Sequence, residues 1–103
     1  MIREAAIREA MSELENLIRA KASYSTVNAR RTALALRCIA MGNNSWSSVA
    51  RCVEEFEGAS VSSVSLNNII RTLEGLSIIR DYGFLDPMYR EAAMRFSAYA
   101  PIT

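Results

Sequence analysis

Ser63, Asn67, Asn68 and Arg71 fall on one side of a helix predicted over residues 62–76, away from the apolar Leu66, Ile70 and Leu73. A guanidinium pairs well with the guanine edge and a carboxamide with adenine, so this set has the chemistry of base recognition. A solvated helix face uses the same residue types, and that reading stays open beside it. Arg30 and Arg31 begin a second predicted helix, Arg51 projects from a third and Arg80 lies in a predicted hairpin. The first three are candidates for phosphate contact, and Arg80 is the one wing residue with the right charge for DNA. Each has a plainer alternative: Arg30 and Arg31 can pack against the helix predicted over 2–22 or an acid, Arg51 has Glu54 and Glu55 at helical spacing, and Asp81 adjoins Arg80.

The helices that must carry these side chains are legible from periodicity and capping. Ile2, Ala6, Ile7, Met11, Leu14, Leu17 and Ile18 predict a helix over about 2–22, which Ser23, Tyr24, Ser25 and Thr26 break. From Val27 to Met41 the chain is apolar on more than one side, with Gly42 as the stop, so this helix should be central and mostly buried. Trp46, Val49, Val53 and Phe56 form the stripe of the next helix, between a Ser45 cap and Gly58. Trp46 is expected as a core anchor rather than a base-stacking platform. After a short turn, Ser62 or Ser63 caps the helix that buries Leu66, Ile69, Ile70, Leu73 and Leu76.

Beyond Gly75 the period changes. Ser77 to Arg80 and Tyr82 to Leu85 predict two short strands around Asp81, a cramped hairpin with little reach. Asp86-Pro87 then starts a last helix whose inward stripe is Tyr89, Ala92, Phe96 and Tyr99, ending before Pro101. Tyr82, Tyr89 and Tyr99 are expected to pack with their hydroxyls in water. The sum is a mainly α fold, a winged helix-turn-helix with a three-helix core, a minimal β-hairpin wing and extra N-terminal and C-terminal helices. Within a single domain over 1–103, the N-terminal helix takes 1–24, the winged core 27–85 and the C-terminal helix 86–100. A chain of 103 residues, half of them apolar, has enough material for one core and not two.

Several functions have no residues to carry them. The chain has no histidine, no G-x-S-x-G and no G-x-x-x-x-G-K-[ST] loop, and its acids lie on predicted exposed faces. No catalytic, cofactor-binding or metal-ligating set is expected, and the chain reads as a non-enzyme. Cys38 and Cys52 lie on different predicted helices without CxxC spacing. They are expected as two thiols packed like small hydrophobes, since reducing cytosol disfavours a disulfide outside hyperthermophiles. Met1-Ile2-Arg3-Glu4 does not open a signal peptide, and arginines interrupt the longest apolar runs, so a cytoplasmic location with no membrane partner is the expectation.

Charge is uneven along the chain. No acid occurs from Asn16 to Val53, where Arg19, Lys21, Arg30, Arg31, Arg37 and Arg51 lie, while both flanks are net acidic. A basic block attracts phosphate or an acidic protein face, and a net charge of +1 is low for a dedicated DNA-binding domain.

Ser45-Trp46-Ser47-Ser48-Val49 with Glu54 to Gly58, Leu66-Asn67-Asn68-Ile69-Ile70-Arg71-Thr72-Leu73 and, most specifically, Tyr82-Gly83-Phe84-Leu85-Asp86-Pro87-Met88-Tyr89-Arg90-Glu91-Ala92 resemble one known family. It is the C-terminal winged-helix domain of archaeal ATPases of the AAA+/STAND type, and the resemblance covers about residues 27–97. It implies a module attached to a nucleotide-hydrolysing core, acting as a DNA-binding element or a regulatory lid. With no phosphate-binding loop, this chain should not bind ATP by itself in that family's manner. Two functions follow as expectations. One is double-stranded DNA binding, with residues 62–76 in the major groove, Arg30, Arg31 and Arg51 touching phosphates, and Arg80 as the one wing residue with the right charge. The other is protein interaction, docking on an ATPase core or forming a homodimer, supported by the low net charge, the short wing and an N-terminal helix whose outer face should show Met1, Ala5 and Ala10.

Overall fold

A computed structural model describes residues 2–22 and 26–95. Five helices and one hairpin follow in order: α1 (Ile2–Ala22), α2 (Thr26–Ala40), α3 (Trp46–Glu57), α4 (Ser63–Gly75), β1 (Ile79–Arg80), β2 (Gly83–Phe84) and α5 (Pro87–Met94). The antiparallel strands pair Ile79 with Phe84 and Arg80 with Gly83. This is a mainly helical winged helix-turn-helix.

Local chemistry fixes each boundary. Ser45 accepts from the Ser48 amide at 3.2 Å while the Ser48 hydroxyl accepts from the Ser45 amide at 3.3 Å, a reciprocal capping box for α3. Gly58 takes a φ of 71° and donates to the Glu54 carbonyl at 2.8 Å, closing that helix in a conformation only glycine adopts without strain. Ser62 caps α4, and Asp86 caps α5 ahead of Pro87. At the far end of α4, Ile78 donates to the Leu73 carbonyl and Ser77 to that of Glu74, a Schellman closure with Ser77 itself at a φ of 59°. Asp81 and Tyr82 form the entire hairpin loop, both at positive φ, as a two-residue turn of the type I′ kind requires.

The core centres on α2, which packs against α1, α3, α4, α5 and β2. Ala29, Thr32, Ala33, Leu34, Ala35, Leu36, Cys38, Ile39 and Ala40 are all buried there. So many alanines let neighbouring helices approach closely from several sides. From α1 come Ile7, Ala10, Leu14 and Ile18, from α3 Val49 and Val53, from α4 Leu66, Ile69, Ile70 and Leu73, and from α5 Ala92 and Ala93.

Five expectations are corrected. Ala10 is buried, because α1 packs against both α2 and α5 and spends that residue on the contact, so only Ala5 of the supposed outer apolar face is exposed. Met1 lies outside the described residues. Phe56 is 44% exposed, at the rim of the α3 stripe, with the Arg37 guanidinium 5.9 Å above its ring. Leu76 and Met41 are exposed, since each falls at the cap where its helix ends and the chain turns away. The Tyr89 hydroxyl is not left to water: it donates to the Glu13 carboxylate and ties α5 to α1. Finally, Cys38 and Cys52 form a disulfide between α2 and α3, with their Cα atoms 5.9 Å apart. The crossing of those two helices supplies the close approach that a bridge needs. Phe96, Tyr99 and the rest of the predicted 86–100 helix beyond Arg95 lie outside the described residues.

Candidate nucleic-acid interface

The turn between α3 and α4 is held from both sides. Glu54 accepts from the Val61 amide at 2.9 Å, and Ser62 accepts from that of Ser65 at 3.1 Å. A carboxylate bound to a loop amide fixes how α4 leaves α3, and therefore where its free face points. Across the same corner, the Trp46 indole N–H donates to Asn67 Oδ1 at 2.7 Å. Half-buried Trp46 packs on the core through its ring, as expected of an anchor, and spends its one polar atom on the second helix.

With Leu66, Ile69, Ile70 and Leu73 turned inward, the opposite side of α4 presents Val64, Asn68 and Arg71 at i, i+4 and i+7, all exposed. Ser63 and Asn67 are exposed too, with Asn67 on the flank toward α3. The four α4 residues read from sequence are thus solvent-facing, but they are not one row. Val64 was missed. Its signal was a large aliphatic residue on the polar side of the period, and at 68% exposure its burial cannot account for it.

The basic residues divide. Arg30 donates from Nε to Glu57 Oε1 at 2.7 Å and from Nη2 to Oε2 at 3.3 Å, and Arg31 donates from Nε to Oε2 at 3.1 Å. The Glu57 side chain is nearly buried, and the hydrogen bond from Arg30, joined by Arg31, holds its carboxyl below the usual range despite that burial. Glu57 in turn raises the Arg30 pKa. Of the two sequence alternatives for this pair, the acid is the one the structure shows, and it clamps α2 to the end of α3. Arg51 is exposed and lines an open cleft of about 260 Å³ with Met41, Asn43, Ser48, Cys52 and Glu55. Arg80 is exposed on β1, beside the two-residue turn of a hairpin that packs against α4, α2 and α5.

Elsewhere the ionisable groups fasten helices together. Arg95, just past α5, pairs with Glu4 of α1 and lowers its pKa. The bond to Glu13 pushes the Tyr89 hydroxyl up to about 12, with burial adding to the effect. Among the described residues no group of three or more Cys, Asp or Glu side chains is arranged to hold a metal ion, and no helix is long and apolar enough to cross a membrane.

The model of the MCM protein C-terminal winged helix-turn-helix domain matches residues 26–90, more than half of the chain and the whole of α2 through β2. The chain belongs to this MCM winged-helix family. MCM proteins are AAA+ ATPases, so the resemblance to an AAA+ C-terminal domain holds at that level. This MCM-type domain is a non-catalytic winged-helix module, and α1 lies outside the matched stretch. No curated protein and no solved structure matches the chain.

Proposed function

We propose that this domain binds double-stranded DNA, with α4 entering the major groove. The observation that carries the reading is the outward face of α4, which no other described element covers and where Arg71, Asn68 and Val64 stand exposed at helical spacing. Arg71 suits guanine O6 and N7, while the hydroxyls of Ser63 and the amides of Asn67 and Asn68 complete a polar surface able to meet base edges. Arg51 on α3 and Arg80 on β1, both exposed, supply phosphate contacts, and Arg30 and Arg31 lend charge while remaining on Glu57. As part of an MCM-type AAA+ ATPase, the module would bring the duplex to the ATPase core.

An NMR titration of the domain with a short duplex tests this. Shift changes along α4 and at Arg80 support it, and changes confined to α1 and α5 contradict it.

A second reading is favoured by the wing. With a two-residue loop, it offers little to lie along a phosphate strand, and the net charge is only +1. In that reading the module is a regulatory lid that docks on its own ATPase core or on a second copy of itself. A strict monomer by light scattering that fails to bind the parent core removes its support.

A further inference from the structure

Val64 is the second residue of α4 and, at 68%, the most exposed of the large apolar side chains among the described residues. Burial therefore does not explain it, and a β-branched residue gives little to a helix, where its χ1 is confined. Ser62, Ser63, Asn67 and Asn68, its neighbours in sequence and at helical spacing, are all polar and exposed. A lone aliphatic side chain in such a setting is too small to dock a protein, whose specific interfaces bury about 800 Å² on each partner. It matches a single methyl-sized apolar group set in a polar surface. We infer that Val64 is a specificity-determining residue that packs against the C5-methyl of a thymine in the major groove. This inference rests on the DNA-binding reading and specifies part of what that site recognises.

The thymine methyl is the one apolar group that any of the four bases presents on its major-groove edge. In a helix-turn-helix the residues near the N-terminus of the recognition helix reach the base edges, and Val64 occupies that end of α4. Its restricted χ1 holds both γ-methyls in place, so little side-chain entropy is lost when the contact forms. Asn68 and Arg71 continue the same outward row at i+4 and i+7. That stretch of helix spans roughly 10 Å, on the order of three base-pair steps, which places the thymine within about three steps of the guanine that suits Arg71. A cytosine methylated at C5 carries the same group in the same place and serves as a second probe of the contact.

Selection from a randomised duplex pool with the full chain first yields the preferred site. Each thymine in it is then replaced singly by deoxyuridine, which removes the methyl and leaves every hydrogen-bonding group of the base unchanged. At one position wild type should lose about fourfold in affinity, the worth of one buried methyl group. Val64→Ser, a change at an exposed position in a turn that already holds serines, should bind the thymine and deoxyuridine duplexes alike. With cytosine at that position, methylation at C5 should strengthen wild-type binding by a similar factor and leave Val64→Ser unmoved. If deoxyuridine costs wild type nothing at any position, if it weakens Val64→Ser just as much, or if methylating the cytosine gains nothing, the inference is overturned while DNA binding stands. Should wild type bind no duplex at all, both fall together.

Discussion

Arg30 holds Glu57 through two hydrogen bonds, Nε to Oε1 at 2.7 Å and Nη2 to Oε2 at 3.3 Å, so the last residue of α3 is fastened to the first half of α2. Arg31 adds a third bond to the same carboxylate. The helix-turn-helix corner thus begins from an anchored point.

Replacing Glu57 with Gln should cost about 1 kcal/mol at neutral pH, since the half-exposed Arg30 keeps part of its hydration and screens the pair. The folded-state pKa of Glu57 is lowered, so its contribution is complete above the ordinary carboxylate value and is lost as pH falls through the folded one. Urea denaturation at neutral pH and along a descending acid series checks both parts: wild type and variant should differ at the first and converge only after pH has fallen well below the ordinary carboxylate value.

Tyr89 titrates in the opposite sense. Its hydroxyl is raised from 10.0 to about 12 by the bond to Glu13, so the protonated form stabilises the fold. That contribution is present below the ordinary tyrosine pKa and disappears as pH rises toward 12. Tyr89→Phe should lower stability by about 1 kcal/mol near neutrality and should remove the loss that wild type shows above pH 10. Thermal melts across that alkaline range read it directly.

The Cys38–Cys52 bridge closes a loop with a sequence separation of 14. A loop of this size implies a stabilisation of about 3 kcal/mol. Denaturation with and without reductant should show that difference, and the oxidised protein should expose no titratable thiol; coincident curves would contradict it.

Two helix ends should respond with opposite signs to changes at left-handed positions. Gly58 has a φ of 71° with open space where a Cβ would stand, so Gly58→Ala should cost about 1 kcal/mol through backbone strain alone. Ser77 occupies the equivalent position after α4 at a φ of 59°, and Ser77→Gly should stabilise by up to about 1 kcal/mol. Urea midpoints of the two variants test the pair.

Most of the fold was legible because the punctuation is local. Ser45, Gly58 and Asp86-Pro87 announce helix ends by themselves, and the stripe of α4 needs only its own period. What escaped depends on which helices meet. Nothing within α1 distinguishes Ala10 from Ala5, yet packing against α2 and α5 buries one and leaves the other exposed. The disulfide required the crossing of α2 and α3, and the Trp46–Asn67 bond joins residues that are 21 apart. The four polar residues of α4 were readable as a surface; that Asn67 is bonded to Trp46, and that Arg30 and Arg31 are held by Glu57, was not, because a charge or amide in sequence does not disclose its partner.

The proposal that α4 reads DNA is tested most directly by fluorescence anisotropy of a labelled duplex, measured with wild type and Arg71→Ala at several salt concentrations. Phosphate contacts release counterions, so wild type should bind at micromolar or tighter concentrations at low salt and weaken steeply as salt rises, and Arg71→Ala should bind about tenfold more weakly. Unchanged affinity in Arg71→Ala, or no binding by wild type at low salt, would contradict DNA reading by α4, and the second result would leave docking on the ATPase core as the module's function.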